Sequence, residues 1–361
     1  MKIALSGYYG FDNAGDEALL SAITSNIKKL EPEAEFVVFS GFPAKTAKVH
    51  GLRAVNRMNP WSVTRELLGA DLLISGGGSL FQDVTSPRSL PYYISVVALA
   101  KLIGKPVIFY AQGIGPINRR LSRFLMRLIA NRVDYITLRD EPSLELLKKI
   151  GVMRPPVKVT SDPVFTLTPG PAEFGQMKTL LQGYGLAEEK LVGVAVRPWK
   201  ALEGYQNNLA RVLDSLVTAG YKVLFIPMDY SQDLPESKRI ALLMKEPSYI
   251  IEESLTSLQH LALIASLKLM IGMRLHALIF AANNQVPFVG ISYDPKVDAF
   301  LETFDLLPLP TDLPAMEAAV FQMLEDVQIQ QRIINKTHQL RIKAEQTARI
   351  ALSLIRKQGL A

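Results

Sequence analysis

Three side chains suited to an anionic ligand fall within one short stretch of this chain: Arg274, His276 and Lys296, in LMIGMRLHALIFAANNQVPFVGISYDPK over residues 269–296. Arg offers a planar fork of N–H donors that matches carboxylate and phosphate oxygens. His, with an ordinary pKa of about 6.5, can deliver a proton near neutrality. Leu269–Ile271 is an apolar run that Gly272 ends, and from Leu275 apolar residues recur at helical spacing. Arg274 and His276 are therefore expected where a strand passes into a helix, and the free N–H groups and dipole of a helix start favour an anion. Pro287–Tyr293 reads as the next strand, with Lys296 at its end. A lone His at a helix start is usually packed or capped, and a Lys after a strand is usually solvated. The combination of all three with a Gly turn points to an anion site.

Other strand ends carry polar or Gly-rich loops. Lys2–Gly7 reads as a strand followed by a loop with Gly7, Gly10 and Gly15, and a helix from Asp16 to Leu30. Asn13 and Asp16 are helix-capping types as well as candidate functional groups, and the residues alone favour neither reading. The strand Asp71–Ser75 opens into Gly76, Gly77 and Gly78, where backbone can approach a ligand closely. Val107–Ala111 leads into Gln112–Pro116, Tyr135–Leu138 into Arg139–Asp140, and Leu191–Val196 into Arg197. Met228–Asp233 is read as a polar loop after the strand Lys222–Pro227, and the region from Ser40 to Gly69 as mixed helix and loop.

These loops need a scaffold. Strands and helices alternate throughout, which implies parallel sheets with helices on both faces. Thr166–Gly175 holds two Pro and two Gly and interrupts the alternation. The expected organisation is an α/β chain of two doubly wound Rossmann-like domains facing across a cleft. The first spans 1–165, followed by a linker at 166–188, a second domain at 189–314 and C-terminal helices at 315–361. In the helix expected over Arg119–Arg132, Arg120, Arg123 and Arg127 share a face and Leu121, Phe124, Leu125, Leu128 and Ile129 supply apolar surface. A solvated basic face and a membrane-surface patch fit this pattern equally.

Composition sets the outer bounds. The 361 residues suit two domains, and 48% hydrophobic content suffices for their cores. No apolar run is long enough for a transmembrane helix and no signal-peptide pattern opens the chain, so a cytoplasmic protein is expected. Zero Cys excludes disulfides, a thiol nucleophile and thiolate metal sites, and the four His, at 50, 260, 276 and 338, lack metal-ligand spacing. A net charge of +6 and a pI near 9.2 suit an anionic partner. Nucleic acid is the weakest choice, since no recognition motif or aromatic-interleaved basic patch is present.

The segments GMRLHALIFAA and PFVGISYDPKV, with SGYYGFDNAGDEALL, SGGGSLFQD, AQGIGP and LRDEPS, resemble the signatures of polysaccharide pyruvyl transferases, and within them the cell-wall, CsaB-type branch. They run from Ser6 to Val297 and so cover most of the chain. The resemblance implies a GT-B-like fold and transfer of a pyruvyl group from phosphoenolpyruvate, as a ketal, onto a lipid-linked cell-wall sugar such as N-acetylmannosamine. It implies a donor site on the C-terminal side and acceptor loops on the N-terminal side, around Gly10, Asn13, Gly76, Gly77, Gly78 and Gln112. Arg139 and Lys296 are the first candidates to bind the donor, with Arg274 and Arg197 next. His276 is either proton donor or phosphate ligand. Asp16, Asp12 and Asp229 are candidates for the carboxylate that activates a sugar hydroxyl. No metal or cofactor is expected, phosphoenolpyruvate being a co-substrate, and Arg and Lys can stabilise the departing phosphate. Partners would be the donor, the lipid-linked acceptor and, weakly, an anionic membrane surface that holds the protein peripherally. The alternatives are a GT-B nucleotide-sugar glycosyltransferase and, from another class, a non-catalytic carbohydrate-binding protein.

Overall fold

The computed structural model describes residues 1–84, 88–199 and 204–358. The chain divides into two compact units. Unit 1 comprises residues 1–12, 16–166 and 340–361; unit 2 comprises 13–15 and 167–339.

Unit 1 is built on strands β1 (Lys2–Tyr9), β2 (Glu35–Ser40), β3 (Arg53–Asn56), β4 (Leu72–Ser75), β5 (Gly78–Phe81), β6 (Val107–Ile114), β7 (Tyr135–Leu138) and β8 (Val157–Val159). They form one parallel sheet in the order β3-β2-β1-β4-β6-β7-β8, with β5 pairing β6. The helices are α1 (Ala14–Leu30), α2 (Pro43–His50), α3 (Pro60–Leu68), α4 (Ser89–Leu102), α5 (Arg120–Ala130) and α6 (Glu141–Lys149). Alternate strand residues feed two cores. Ala4, Val37, Leu73 and Phe109 face the layer with α3 to α6. Ile3, Val38, Ile74 and Ile108 face Leu20, Ile23 and Ile27 of α1 and Ala348 and Leu352 of the final helix. Burial on both faces is why these strands are continuous apolar runs in sequence.

Unit 2 begins its main body with α7 (Pro171–Gly183), after a 3₁₀ turn at Pro163–Thr166. Its strands are β9 (Leu191–Ala195), β10 (Lys222–Phe225), β11 (Ser248–Ile250), β12 (Leu267–Gly272) and β13 (Phe288–Gly290), in the parallel order β11-β10-β9-β12-β13. Helices α8 (Tyr205–Thr218), α9 (Tyr230–Ala241), α10 (Ser257–Ile264), α11 (Leu275–Asn283), α12 (Pro295–Thr303) and α13 (Leu313–Glu325) connect and follow them. The last helix, α14 (Val327–Gln358), starts at Asp326, whose carboxylate accepts from the N–H groups of Gln328 and Ile329. Its second half returns to unit 1, where the Ser161 hydroxyl donates to the Leu340 carbonyl.

Several local expectations change. The 40–69 region contains a strand, β3, a four-residue half-buried edge too short to stand out in sequence. The segment after Gly77 is strand β5 rather than a free loop, because Gly78 and Phe81 pair with β6. The 166–188 segment, read as a linker, carries α7, and the 315–361 segment is shared between the units rather than forming a separate appendage. Its last three residues lie outside those described. Residues 228–233 are a loop only as far as Asp229, the N-cap of α9.

Candidate functional site

In unit 2, β9 pairs with β10 on one side and β12 on the other, so chain order reverses between β9 and β12. Ligands of open α/β sheets bind at the carboxyl ends of the strands at such a switch point. Arg197 follows β9, and Arg274 and His276 follow β12, with the Met273 N–H bonded to the Ala195 carbonyl at 2.8 Å. The expected strand-to-helix placement holds: Arg274 is the N-cap of α11 and His276 lies in its first turn.

Each of these side chains is held. Arg274 donates through Nε and Nη2 to the carboxylate of Asp233 at 2.5–3.0 Å, and its Nη2 lies 3.7 Å from Asp229. Asp233 is fully buried and also accepts from the N–H groups of Met228 and Asp229 at 3.1 and 3.0 Å. Burial pushes the Asp233 carboxyl above the usual aspartate range, against the opposing pull of Arg274 and the backbone N–H of Asp229. Burial likewise works against the Arg274 charge, but Asp233 outweighs it and holds that group above its ordinary value. With five N–H contacts gathered on one carboxylate, the ionised pair is the state this geometry satisfies. Arg197 donates to the Tyr293 hydroxyl at 3.1 Å and lies over the rings of Tyr293 and Trp199, 5.0 and 5.5 Å from their centroids. That is a cation–π cradle that fixes the guanidinium while leaving its charge unneutralised. Lys296 is not at a strand end; it lies in the first turn of α12, its N–H and ammonium both bonded to Asp294, the latter at 3.2 Å.

Residues 13–15 belong to this unit too. Asn13 bridges to Asp229, and the Ala14 N–H donates to the Met228 carbonyl at 3.0 Å. A Cβ added to Gly15 would come within 2.0 Å of His276 Nδ1. The bare glycine is what lets the imidazole lie against this turn. Asp229, the N-cap of α9, is occupied on both oxygens by Ser231 and Gln232 at 2.8 Å.

Unit 1 gathers a second group of polar residues at its own switch point, between β1 and β4. Gly10, with φ of +84°, gives its N–H to Glu17 at 2.7 Å. Glu17 also holds His50 Nε2 at 2.6 Å. A Cβ on Gly76 would collide with the Tyr9 hydroxyl at 2.0 Å, and one on Gly78 would come within 3.2 Å of Asp16. Gln112 donates to the carbonyls of Ser75 and Gly76. Gln112 Oε1, the Ser75 hydroxyl and the Tyr9 hydroxyl are buried with no hydrogen-bond partner among the described residues. Burial, with the nearby carboxylates of Asp16 and Glu17, pushes the Tyr9 phenol well above its ordinary range. Ala111, just before Gln112, has φ of +46°, and Asp12 has φ of +60°. Such left-handed non-glycine residues cost about 1–3 kcal/mol each and concentrate at functional sites. Asp12, more than half exposed, pairs with Lys45.

Arg139 also lies in unit 1. Its Nη1 donates to Asp162 at 3.2 Å, its Nη2 to Ser79 at 3.0 Å, and its Nε is 3.6 Å from Asp140. It packs on Gly113, where a Cβ would come within 2.8 Å of the guanidinium. The structure thus brings Arg197, Arg274, His276 and Asn13 into the site of unit 2. In unit 1 it brings Gly10, Gly76, Gly77 and Arg139 to strand ends, Gly78 to the start of β5 and Asp16 to the first turn of α1, while Gln112, expected in a loop after Ala111, lies within β6, which continues to Ile114 through its pairing with β5 and β7.

The profile of the polysaccharide pyruvyl transferase family matches residues 13–295, most of the chain. This chain belongs to the polysaccharide pyruvyl transferase family. The amylovoran biosynthesis protein AmsJ of Erwinia amylovora is 22% identical over 408 aligned positions, covering 95% of this chain and 97% of that protein. Among solved structures, the UDP-GlcNAc 2-epimerase of Neisseria meningitidis, bound to UDP-GlcNAc, superposes with a TM-score of 0.67 at 11% identity, covering 99% and 100% of the two chains. That of Methanocaldococcus jannaschii gives 0.67 at 13%, covering 98% and 100%. Anabaena HepE, in complex with UDP-glucose, gives 0.61 at 13%, covering all of both. At these identities the solved structures speak for the fold alone, which is GT-B-like with two Rossmann-like domains.

As a pyruvyl transferase the chain is an enzyme of polysaccharide biosynthesis. Its family signatures supply the loops described above, whereas Asp233, Glu17, His50, Tyr9 and Tyr293 were not singled out by sequence as site residues. Asp233 sits in the first turns of α9, where an acid looks like ordinary helix-start chemistry. The Glu17–His50 pair joins residues 33 positions apart, a spacing that carries no local signal. Tyr293 was visible as part of SYDPK, but its contact with Arg197 was not.

Proposed function

We propose that this pyruvyl transferase moves the pyruvyl group of phosphoenolpyruvate, as a ketal, onto N-acetylmannosamine of a lipid-linked cell-wall polysaccharide precursor, releasing phosphate. The observation that carries the reading is the set of cationic and imidazole groups at the switch point of unit 2, within a chain of this family. Phosphoenolpyruvate bears both a carboxylate and a phosphate and needs several donors. Arg197, cradled by rings and not ion-paired among the described residues, offers the least compensated guanidinium. Lys296 and the Asp233-anchored Arg274 add further N–H groups in unit 2, and Arg139 of unit 1 is a further candidate for the donor.

The steps balance without an oxidant or reductant. An acid protonates the vinyl methylene, making the adjacent carbon electrophilic. One sugar hydroxyl adds there and gives its proton to a carboxylate, for which Asp16 is our first candidate. A second hydroxyl then closes the ketal as the C–O bond to phosphate breaks, and its proton leaves with the phosphate. His276 serves as the acid or as a phosphate ligand, and replacement by Gln separates the two roles. No cofactor takes part in this scheme. A lipid-linked acceptor places the work at an anionic membrane surface on its cytoplasmic side, with the enzyme bound peripherally. No helix among the described residues is long and apolar enough to cross a membrane.

The test is acceptor-dependent phosphate release from phosphoenolpyruvate, with the product checked by mass for a pyruvyl ketal. The competing reading is a nucleotide-sugar glycosyltransferase, favoured by the uridine nucleotides bound to the solved neighbours. Release of UDP from a UDP-sugar, with no phosphate from phosphoenolpyruvate, would establish it.

A further inference from the structure

Helix α5 packs one apolar side on the core and carries a second apolar stripe in solvent. Ser122, Met126, Ile129 and Ala130 face inward. Leu121, Phe124 and Leu128, spaced three and four apart and so on one face, are 68%, 60% and 43% exposed. The apolar surface expected from Leu121, Phe124, Leu125, Leu128 and Ile129 is thus divided, with Leu125 half-buried against the core. The structure buries Ile129 and leaves Leu121, Phe124 and Leu128 in solvent. Arg120, Arg123 and Arg127 are exposed beside them. At the end of the helix, Asn131 accepts from the N–H groups of Met153 and Arg154, fixing an 86% exposed Met next to α5.

Charge along the chain is equally uneven. Residues 84–133 contain eight Lys or Arg and no Asp or Glu. The remainder, with 32 cations and 34 anions, is slightly acidic, so the whole net charge of +6 comes from this one segment. Arg120, Arg123 and Arg127 make no ion pair among the described residues.

We propose that the exposed face of α5, with Met153 beside it, is the surface that seats this protein on an anionic lipid bilayer, with Leu121, Phe124 and Leu128 entering the headgroup boundary and the arginines binding acidic headgroups. Interfacial helices combine an apolar stripe with flanking Arg in this way. A second copy of the chain is a poor occupant, because a two-fold contact through α5 would set arginine against arginine and the helix itself carries no acid. The surface stands on exposure and charge, and does not depend on which donor the enzyme uses.

The experiment is flotation of the full chain with phosphatidylglycerol–phosphatidylcholine vesicles and with phosphatidylcholine alone, in low and high salt, without donor or acceptor. Two variants accompany it: F124S/L128S and R120E/R123E/R127E. All substituted positions are exposed, and thermal unfolding confirms that the variants fold. The expected result is binding only to the anionic vesicles, weakened by salt, and reduced about ten-fold or more in each variant. Equal flotation of F124S/L128S and wild type overturns the insertion. Concentration-dependent dimerisation that this variant abolishes overturns the lipid assignment in favour of a self-interface. Activity on a soluble acceptor reads the donor chemistry separately, because α5 carries none of its proposed residues.

Discussion

Arg274 gives both Nε and Nη2 to Asp233, and the carboxylate that receives them is fully buried. The pair ties the first residue outside α11 to the first turns of α9. It also fixes the Met228–Asp229 backbone, whose N–H groups share the same carboxylate. Arg274 is therefore as much an anchor of the strand-end loops as a ligand for an anion. His276 lies two residues on, in the first turn of α11.

Removing one partner should be costly. Asp233→Ala leaves two N–H groups unpaired and a buried guanidinium with only Asp229, 3.7 Å away, to oppose its charge, and we expect a loss of about 3 kcal/mol. Replacing both partners, as Asp233→Leu with Arg274→Met, should recover much of that loss because no charge is stranded. Denaturant titration of the three variants checks this. A loss below about 1 kcal/mol in Asp233→Ala would show that the pair does not hold the loops.

Phosphoenolpyruvate should raise the melting temperature and UDP-sugars should not. The motive is the cationic group at the unit 2 switch point in a chain of the pyruvyl transferase family. At a donor concentration 100 times its Kd, linkage gives about 2.7 kcal/mol of added stability. A shift with a UDP-sugar alone reverses the donor assignment.

His260 gives the protein an acid-side weakness. Both ring nitrogens face carbonyl oxygens, Thr256 from Nδ1 and Pro227 from Nε2, each at 3.0 Å, and the side chain is buried. Burial lowers its pKa despite the two carbonyls. The unfolded chain, with a His pKa of about 6.5, then binds the proton more readily than the folded one. Its contribution is complete above about pH 6.5 and declines as pH falls from there towards the lowered folded value, by up to about 1.4 kcal/mol per pH unit. Comparing the stability–pH curves of wild type and His260→Gln isolates this contribution. Parallel curves below pH 6.5 would remove it.

Strands buried on both faces were the easiest features to read. Tyr135–Leu138 has the expected bounds, because a short apolar run between polar residues admits little else. β3 escaped because RAVN is short, half-buried and at a sheet edge. The site was legible where chemistry is written locally, as at Arg274 and His276 on one strand-to-helix turn. It was not legible where a role depends on a partner distant in sequence. The charge of Arg274 is matched by Asp233, 41 positions earlier, and Arg197 is held by Tyr293, 96 positions later. Periodicity reports which face of an element is apolar but not whether a neighbour covers it. That Leu121, Phe124 and Leu128 of α5 lie uncovered is therefore known only from the structure.

His276→Ala should lower turnover by about 10²–10⁴-fold if the imidazole is the acid, with the fold intact, since the first turn of a helix tolerates Ala. His276→Gln keeps a hydrogen-bond donor but delivers no proton near neutrality. Near-normal turnover in Gln would assign the residue to phosphate binding. Comparable loss in both variants supports the acid.

Gly15→Ala tests the placement of that imidazole without touching it. Gly15 is the second residue of α1 and has no left-handed φ, so Ala fits the backbone there and should favour the helix by up to about 1 kcal/mol. The added methyl would nevertheless stand 2.0 Å from His276 Nδ1, a separation that van der Waals radii forbid. Either the ring turns away or the 13–15 turn moves off it. Turnover should therefore fall while the melting temperature holds or drops only slightly, whereas a purely structural contact would lower both together. Double substitution with His276→Ala removes the clash, so Gly15→Ala should then cost no further activity. Full turnover in Gly15→Ala alone would show that the imidazole need not rest against this turn for catalysis.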